Sequence, residues 1–330
     1  MPEKELLMQD LGAGIAVTEL PQFGKEWLLD SEINRHTPAT LANRRFFLEK
    51  LRWFLQHRGY QVCGPREVRA FLAYVNNGHT EGDGRWGNPH RNKEVRSGTT
   101  LTFYGLLRTF FNWLLDQELI EESPLKKIKP PKAAADQVQP FSQEEVSALL
   151  AAAKKTKHPQ RDTAILLTLL DTGARATELC SLKLSDVDMQ GRKCTVEGKG
   201  RKKRIFCISP PTIKALFNYL RQEPHEPDDP LFIADRGRKA GEPLTRSGLY
   251  QLIERLGEAA AIENVRCSPH TFRHTFAVEF LRGGGNVFTL QQLLGHSRLE
   301  MTQKYVALAQ ADIQNQHRQF SPVERLLKKK

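Results

Sequence analysis

Between Lys126 and Lys132 the chain reads Lys-Lys-Ile-Lys-Pro-Pro-Lys, then runs into alanines 133–135. Adjacent prolines resist helix and sheet, and the lysines stay solvated, so this stretch cannot sit inside a core. It therefore divides a chain of 330 residues into two pieces of ordinary domain size. The boundaries expected are an extension over 1–20, a helical domain over 21–125, a linker over 126–140, a second domain over 141–319 and a tail over 320–330.

Upstream of the linker the pattern is helical. Thr37 is an N-cap with Pro38 at the first helical position. Leu41, Arg45, Leu48, Leu51, Phe54 and Leu55 follow near helical spacing, and Arg58-Gly59 ends the run. Val68, Phe71, Leu72 and Val75 mark a second helix, and Thr99 to Glu118 a third. Asn76 to Gly98 reads as a turn-rich loop between them. After the linker, Ser142-Gln143-Glu144-Glu145 is a capping box. A helix over Asp162 to Leu170 runs into Thr172-Gly173, a short helix passes Glu178, and Val187 to Ile208 forms a small sheet around a turn at 198–200. The remainder is mostly helical. The fold class expected is mainly α with a small antiparallel β-sheet, a helical N-terminal domain being followed by a mixed α/β domain.

The five cysteines form no CxxC pair and are odd in number, which argues against a disulfide framework and for a reducing cytoplasm. No apolar run approaches the roughly 20 residues of a membrane span. Net charge is +11, with 19 basic and 16 acidic residues up to Ala135 against 30 and 22 after it. An excess of this kind suits a polyanionic partner. The basic residues expected to face it are Arg44, Arg45, Arg85, Arg91, Lys93, Arg96, Lys126, Lys127 and Lys129, with Arg201, Lys202 and Lys203 at the hairpin.

Four segments carry chemistry. They are Gly173-Ala174-Arg175-Ala176-Thr177-Glu178, Gly198-Lys199-Gly200, Pro269-His270-Thr271-Phe272-Arg273-His274, and Gly295-His296-Ser297 followed by Tyr305. Singly, each has a plainer reading: Arg175 as a surface arginine, Lys199 as a solvated turn residue, Tyr305 as a packed core tyrosine. His270 and His274 stand four apart, as zinc ligands can, but no carboxylate accompanies them at the metalloprotease spacing.

Together, the order Arg175, Lys199, His270-x-x-Arg273, His296, Tyr305 resembles the tyrosine recombinase family, which includes Xer recombinases and phage and transposon integrases. The motifs span Phe141 to Tyr305. The helical segment before them resembles the family's core-binding domain in plan only, and Ala174 stands where many relatives carry a bulkier residue. The resemblance implies a catalytic domain of the recombinase and type IB topoisomerase fold. It also implies a double-stranded DNA partner, a tetramer working on two DNA sites, and no metal or other cofactor.

The residue types suit that reaction. Displacement at a phosphodiester gathers charge on non-bridging oxygens, which guanidinium forks of Arg175 and Arg273 can hold. Tyrosine has a pKa near 10 and needs a base, for which His270 is the candidate. His296, held by the Gly295 stop, can donate to a phosphate oxygen. Lys199 can protonate the leaving 5′ oxygen, as the resemblance implies. Glu178 is expected to orient the Arg175 segment. Ser297 to Glu300 reads as a capping box opening the helix of Tyr305. The tail carries Val323, Leu326 and Leu327 on one face, and docks either on its own domain or on a neighbouring subunit. A monomeric type IB topoisomerase would use the same site, and a DNA-binding protein without chemistry is the reading from another class. The target sequence, the biological outcome and any accessory proteins stay open.

Overall fold

The structure, a computed structural model, describes residues 14–79, 82–132, 139–197, 203–222, 226–234 and 242–296, with eight further positions between Leu299 and Val323. Lys199, Arg201, Lys202, the Ser297–Glu300 capping box and most of the tail lie outside the described residues. The chain divides into two compact units, Met1–Asp136 and Gln137–Lys330. Among the described residues, no helix is long and apolar enough to cross a membrane.

Among the described residues, the first unit packs four α-helices, α1 (Leu20–Ile33), α2 (Pro38–His57), α3 (Pro65–Asn76) and α4 (Ser97–Asp116). A two-residue ladder joins β1 (Ile15–Ala16) to β2 (Val62–Cys63). Thr37 caps α2, its hydroxyl accepting from the Thr40 amide at 3.2 Å. Trp27, Phe47, Phe54, Phe71, Phe110 and Phe111 fill the core. The unit begins earlier than expected: Ile15, Val17 and Leu20 are buried in that core. It also extends past Leu125, since Ile128 packs against the core and its carbonyl accepts from the Tyr104 hydroxyl at 2.9 Å.

Two arginines expected to face DNA are structural instead. Arg44 is buried, its guanidinium 4.3 Å above the Trp27 ring and hydrogen-bonded to the Ser31 hydroxyl. Arg85 is only 6% exposed, and its Nη2 donates to the Asn77 carbonyl at 2.6 Å and the Lys93 carbonyl at 2.8 Å. It thereby ties the two ends of the loop between α3 and α4 together. The next residue, Trp86, adopts φ 62° and donates its amide to the Tyr74 hydroxyl at 2.9 Å. Its indole packs among Trp53, Phe71, Tyr74 and Phe103. The basic loop is thus a folded cover over an aromatic cluster. Arg91, Lys93 and Arg96 remain on its exposed side, as do Arg45, Lys126, Lys127 and Lys129 on the surface of the unit.

The second unit opens with α5 (Gln143–Ala153), whose capping box is formed. The Ser142 hydroxyl accepts from the Glu145 amide, and Glu145 Oε2 accepts from the Ser142 amide at 2.7 Å. There follow α6 (Pro159–Thr172), α7 (Ala176–Ser181) and an antiparallel sheet of β3 (Val187–Asp188), β4 (Lys193–Glu197) and β5 (Lys203–Cys207) in which Thr195 pairs with Ile205. Among the described residues, α8 (Pro210–Leu220), α9 (Arg246–Ala259), α10 (Pro269–Arg282) and α11 (Val287–Leu294) follow. Ile165, Leu169, Leu179, Phe206, Ile253 and Phe272 lie in one core, so α6, α7, β5 and α10 form a rigid frame.

Because Arg85 satisfies two carbonyls of the loop, Arg85→Met should lower the stability of the protein by about 2–3 kcal/mol in urea denaturation. Arg91→Ala, at an exposed position of the same loop, should stay within about 0.5 kcal/mol of the parent.

Candidate active site

Two glycine turns build the site. Gly173 ends α6 in the left-handed region at φ 58°, and Gly295 ends α11 at φ 61°. A Cβ on Gly173 would fall 2.5 Å from the Phe276 ring and 3.1 Å from Leu294, so the backbone there passes between α10 and α11 without room for a side chain.

Arg273 projects from α10 between these turns. Its Nη1 donates to the Gly173 carbonyl at 2.7 Å, its Nη2 to the Leu294 carbonyl at 2.6 Å. The same Nη2 lies 3.0 Å from His296 Nε2. An arginine can only donate, so His296 Nε2 accepts, and the imidazole proton of the neutral ring sits on Nδ1. There it donates to the Thr302 hydroxyl at 2.8 Å. Arg273 thus fixes the tautomer of His296, and in this arrangement Nε2 is an acceptor rather than the phosphate donor envisaged from sequence. Burial, and then the charges of Arg175 and Arg204, pull the Arg273 guanidinium down to about 10.

Arg175 precedes α7 and forms one side of a capping box. Its amide donates to Glu178 Oε2 at 2.7 Å, and its Nη1 to Glu178 Oε1 at 2.8 Å. Its Nη2 reaches the Gly295 carbonyl at 3.1 Å. The buried Glu178 therefore places Arg175 against the turn that carries His296. The side chain of Arg175 is 40% exposed, so one edge of the fork faces solvent.

Tyr305, in a helical stretch with Thr302, Gln303 and Val306, is 1% exposed. Its ring stacks on His296, with centroids 6.3 Å apart, and meets His274 edge-on at 5.1 Å. His270, exposed on the first turn of α10, packs against His274 at 4.4 Å. His274, noted in the sequence only as a metal candidate, is thus the α10 histidine whose ring packs on Tyr305. Among the described residues, no group of three or more His, Cys, Asp or Glu side chains gathers as a metal site requires. Burial raises the Tyr305 hydroxyl above its ordinary value, while Arg273 and Arg175 oppose that rise.

Sequence reasoning missed Arg204. It lies on β5, its side chain 9% exposed, and donates from Nη2 to Glu178 Oε2 at 2.8 Å. The signal available was the alternation of the strand, which sends Arg204 and Phe206 to one face. The guanidinium lies 4.4 Å over the Phe206 ring.

Residues 139–312 match the Phage integrase family. A tyrosine recombinase XerD of Shewanella oneidensis is 30% identical over 291 residues, covering 86% of this chain and 90% of that protein. The XerD of Pseudomonas putida is 35% identical over 230 residues, 68% of this chain and 76% of its own length. Among solved structures, a lambda integrase dimer bound to a core site aligns with a TM-score of 0.68 at 16% identity over 92% of this chain and 80% of its own. The XerH recombinase bound to its difH substrate aligns at 0.65 and 20% identity, covering 86% of this chain and 80% of that one. The chain belongs to the tyrosine recombinase family. It is an enzyme of site-specific DNA recombination.

Gly173→Ala forces an alanine into the left-handed region and against Phe276. It should cost about 2–4 kcal/mol of stability in urea denaturation. Because the residue 173 carbonyl anchors Arg273, DNA cleavage per folded molecule should fall as well.

Proposed function

We propose that Tyr305 attacks the scissile phosphate of double-stranded DNA, displaces the 5′ oxygen and leaves a 3′-phosphotyrosine link. The observation that carries this reading is the gathering of Arg175, Arg273 and His296 at the Gly173 and Gly295 turns, with the Tyr305 ring stacked on His296. The Tyr305 proton passes to His270, directly or through His274, whose ring packs against both. The new bond joins tyrosine oxygen to phosphorus, and the phosphorus–5′-oxygen bond breaks. Lys199 supplies the proton that the leaving oxygen needs.

Arg175 and Arg273 exchange neutral carbonyl acceptors for charged phosphate oxygens, a charge-assisted gain. The link retains the phosphodiester energy, so attack by a 5′-hydroxyl from a second duplex reseals the strand without ATP. No metal ion enters this scheme. The protein works in the cytoplasm as a tetramer on two DNA sites. Exposed Arg45, Arg91, Lys93, Arg96, Lys126, Lys127 and Lys129 serve the DNA backbone, together with Arg201, Lys202 and Lys203.

Tyr305→Phe should bind DNA and form no covalent adduct, read on a denaturing gel after incubation with a nicked duplex carrying a site recovered by trapping adducts on genomic DNA. A persistent adduct band would remove Tyr305 from the role. Lys199→Ala should cleave at least about a hundred-fold more slowly than the parent, the usual size of a general acid–base contribution. A duplex with sulfur in place of the bridging 5′ oxygen should recover most of that loss, because sulfur leaves without a proton. Equal defects on both duplexes would assign the acid elsewhere.

A further inference from the structure

Glu178 holds two arginines. Its Oε1 accepts from Arg175 and its Oε2 from Arg204, each at 2.8 Å. Arg175 reaches on to the phosphate in the reading above, whereas Arg204 faces inward. Its Nη2 is on Glu178, and its Nη1 lies where a Cβ on Gly295 would fall only 2.7 Å away. The guanidinium thus packs between the Phe206 ring and the turn whose carbonyl receives Arg175. Among the described residues, Arg204 Nε and Nη1 are fully buried and have no acceptor.

Stability alone does not explain such a residue. A buried guanidinium with unmatched donors carries a desolvation penalty, and replacing it with an apolar chain is often neutral or stabilising. Glu178 would not be orphaned by that change, since the Arg175 amide and side chain still bond it. What would be lost is the second tether on the carboxylate and the wedge against Gly295. β5 also starts at Lys203, directly after the segment 198–202 that carries Lys199. Arg204 therefore joins three parts of the site: the strand leaving the hairpin, the Glu178–Arg175 pair and the Gly295 turn.

We propose that Arg204 is a positioning residue for strand cleavage, acting through the Glu178 carboxylate and the Gly295 turn to hold Arg175 at the angle that meets the phosphate. The proposal rests on the assignment of Arg175 to the phosphate. Arg204 itself touches no reacting atom. Burial draws it down to about 10, which leaves it a cation at neutral pH and able to hold the carboxylate.

The test is a double-mutant cycle in single-turnover cleavage of the nicked duplex, with Arg204→Met, Arg175→Lys and the pair. Arg204→Met should melt within about 3 °C of the parent or above it. Its DNA half-saturation should be unchanged, and cleavage should slow by about ten- to a hundred-fold, as expected for a displaced catalytic group. In the Arg175→Lys background, the same change should cost less than about two-fold, because the group it positions is already lost. Equal losses in both backgrounds would show that Arg204 acts independently of Arg175 and overturn the proposal. So would a clear fall in melting temperature with parent-like cleavage per folded molecule. If Arg175→Lys alone cleaves as fast as the parent, the phosphate assignment has failed and the positioning role falls with it. Should the methionine variant fail to fold, Arg204→Gln takes its place in the cycle with the same expected coupling.

Discussion

A buried guanidinium that meets two helix ends organises the catalytic unit. Arg273 is 4% exposed, and its direct acceptors are the Gly173 and Leu294 carbonyls and His296 Nε2. Those carbonyls close α6 and α11, where backbone dipoles present their negative ends. Two helix C-termini thus offset one buried cation without a carboxylate in direct contact. The arrangement demands that both helices stop at the same place, and the left-handed glycines at 173 and 295 supply those stops. His296, Arg175 and Tyr305 are then placed by reference to the two turns.

Part of this frame is legible in the sequence. Glycine, the N-capping serines at 142 and 268 and the capping-box glutamates have local geometric consequences that mark turns and helix starts, whereas Arg175, Arg273 and His296 are singled out by the resemblance of their order to the tyrosine recombinase family. The helix caps at Thr37, Ser142 and Ser268 form as their residue types dictate. Helix α1 escaped notice because it opens at Glu19 without a side-chain cap and leaves Leu29 and Ile33 exposed among its polar residues. Leu20, Phe23 and Trp27 line its buried face at helical spacing, but the exposed apolar residues blur that stripe in the sequence.

The basic residues show where charge alone misleads. Arg44, Arg85 and Arg204 look in the sequence like any other cation, yet each is buried against an aromatic ring, backbone carbonyls or a carboxylate. Nothing in the residues adjacent to Arg85 announces that carbonyls 77 and 93 will converge on it. That pairing exists only once the loop has closed over Trp86. Guanidinium suits such places better than ammonium, because its planar fork stacks on rings and bonds two acceptors at once. A count of arginines therefore overstates the charge available to a DNA backbone, and the exposed lysines are a better measure of it.

The remaining cations are graded in exposure, and the grading bears on the order of events in the proposed reaction. Arg175 is part-exposed and tied to one carbonyl and one carboxylate, while Arg273 lies deeper and Tyr305 is covered. A phosphate approaching from solvent meets Arg175 first, and only a further approach reaches Arg273. Each exchange replaces a carbonyl by a charged oxygen, so each is favourable where water is excluded. Exchange at Arg273 also releases the Leu294 carbonyl and His296 Nε2, the contacts that hold the turn next to the Tyr305 ring. Since Tyr305 is almost fully covered, the proposed attack calls for this packing to loosen as the phosphate arrives. In that reaction, binding of the phosphate and exposure of Tyr305 are coupled through one arginine, within a site whose turns are already in place.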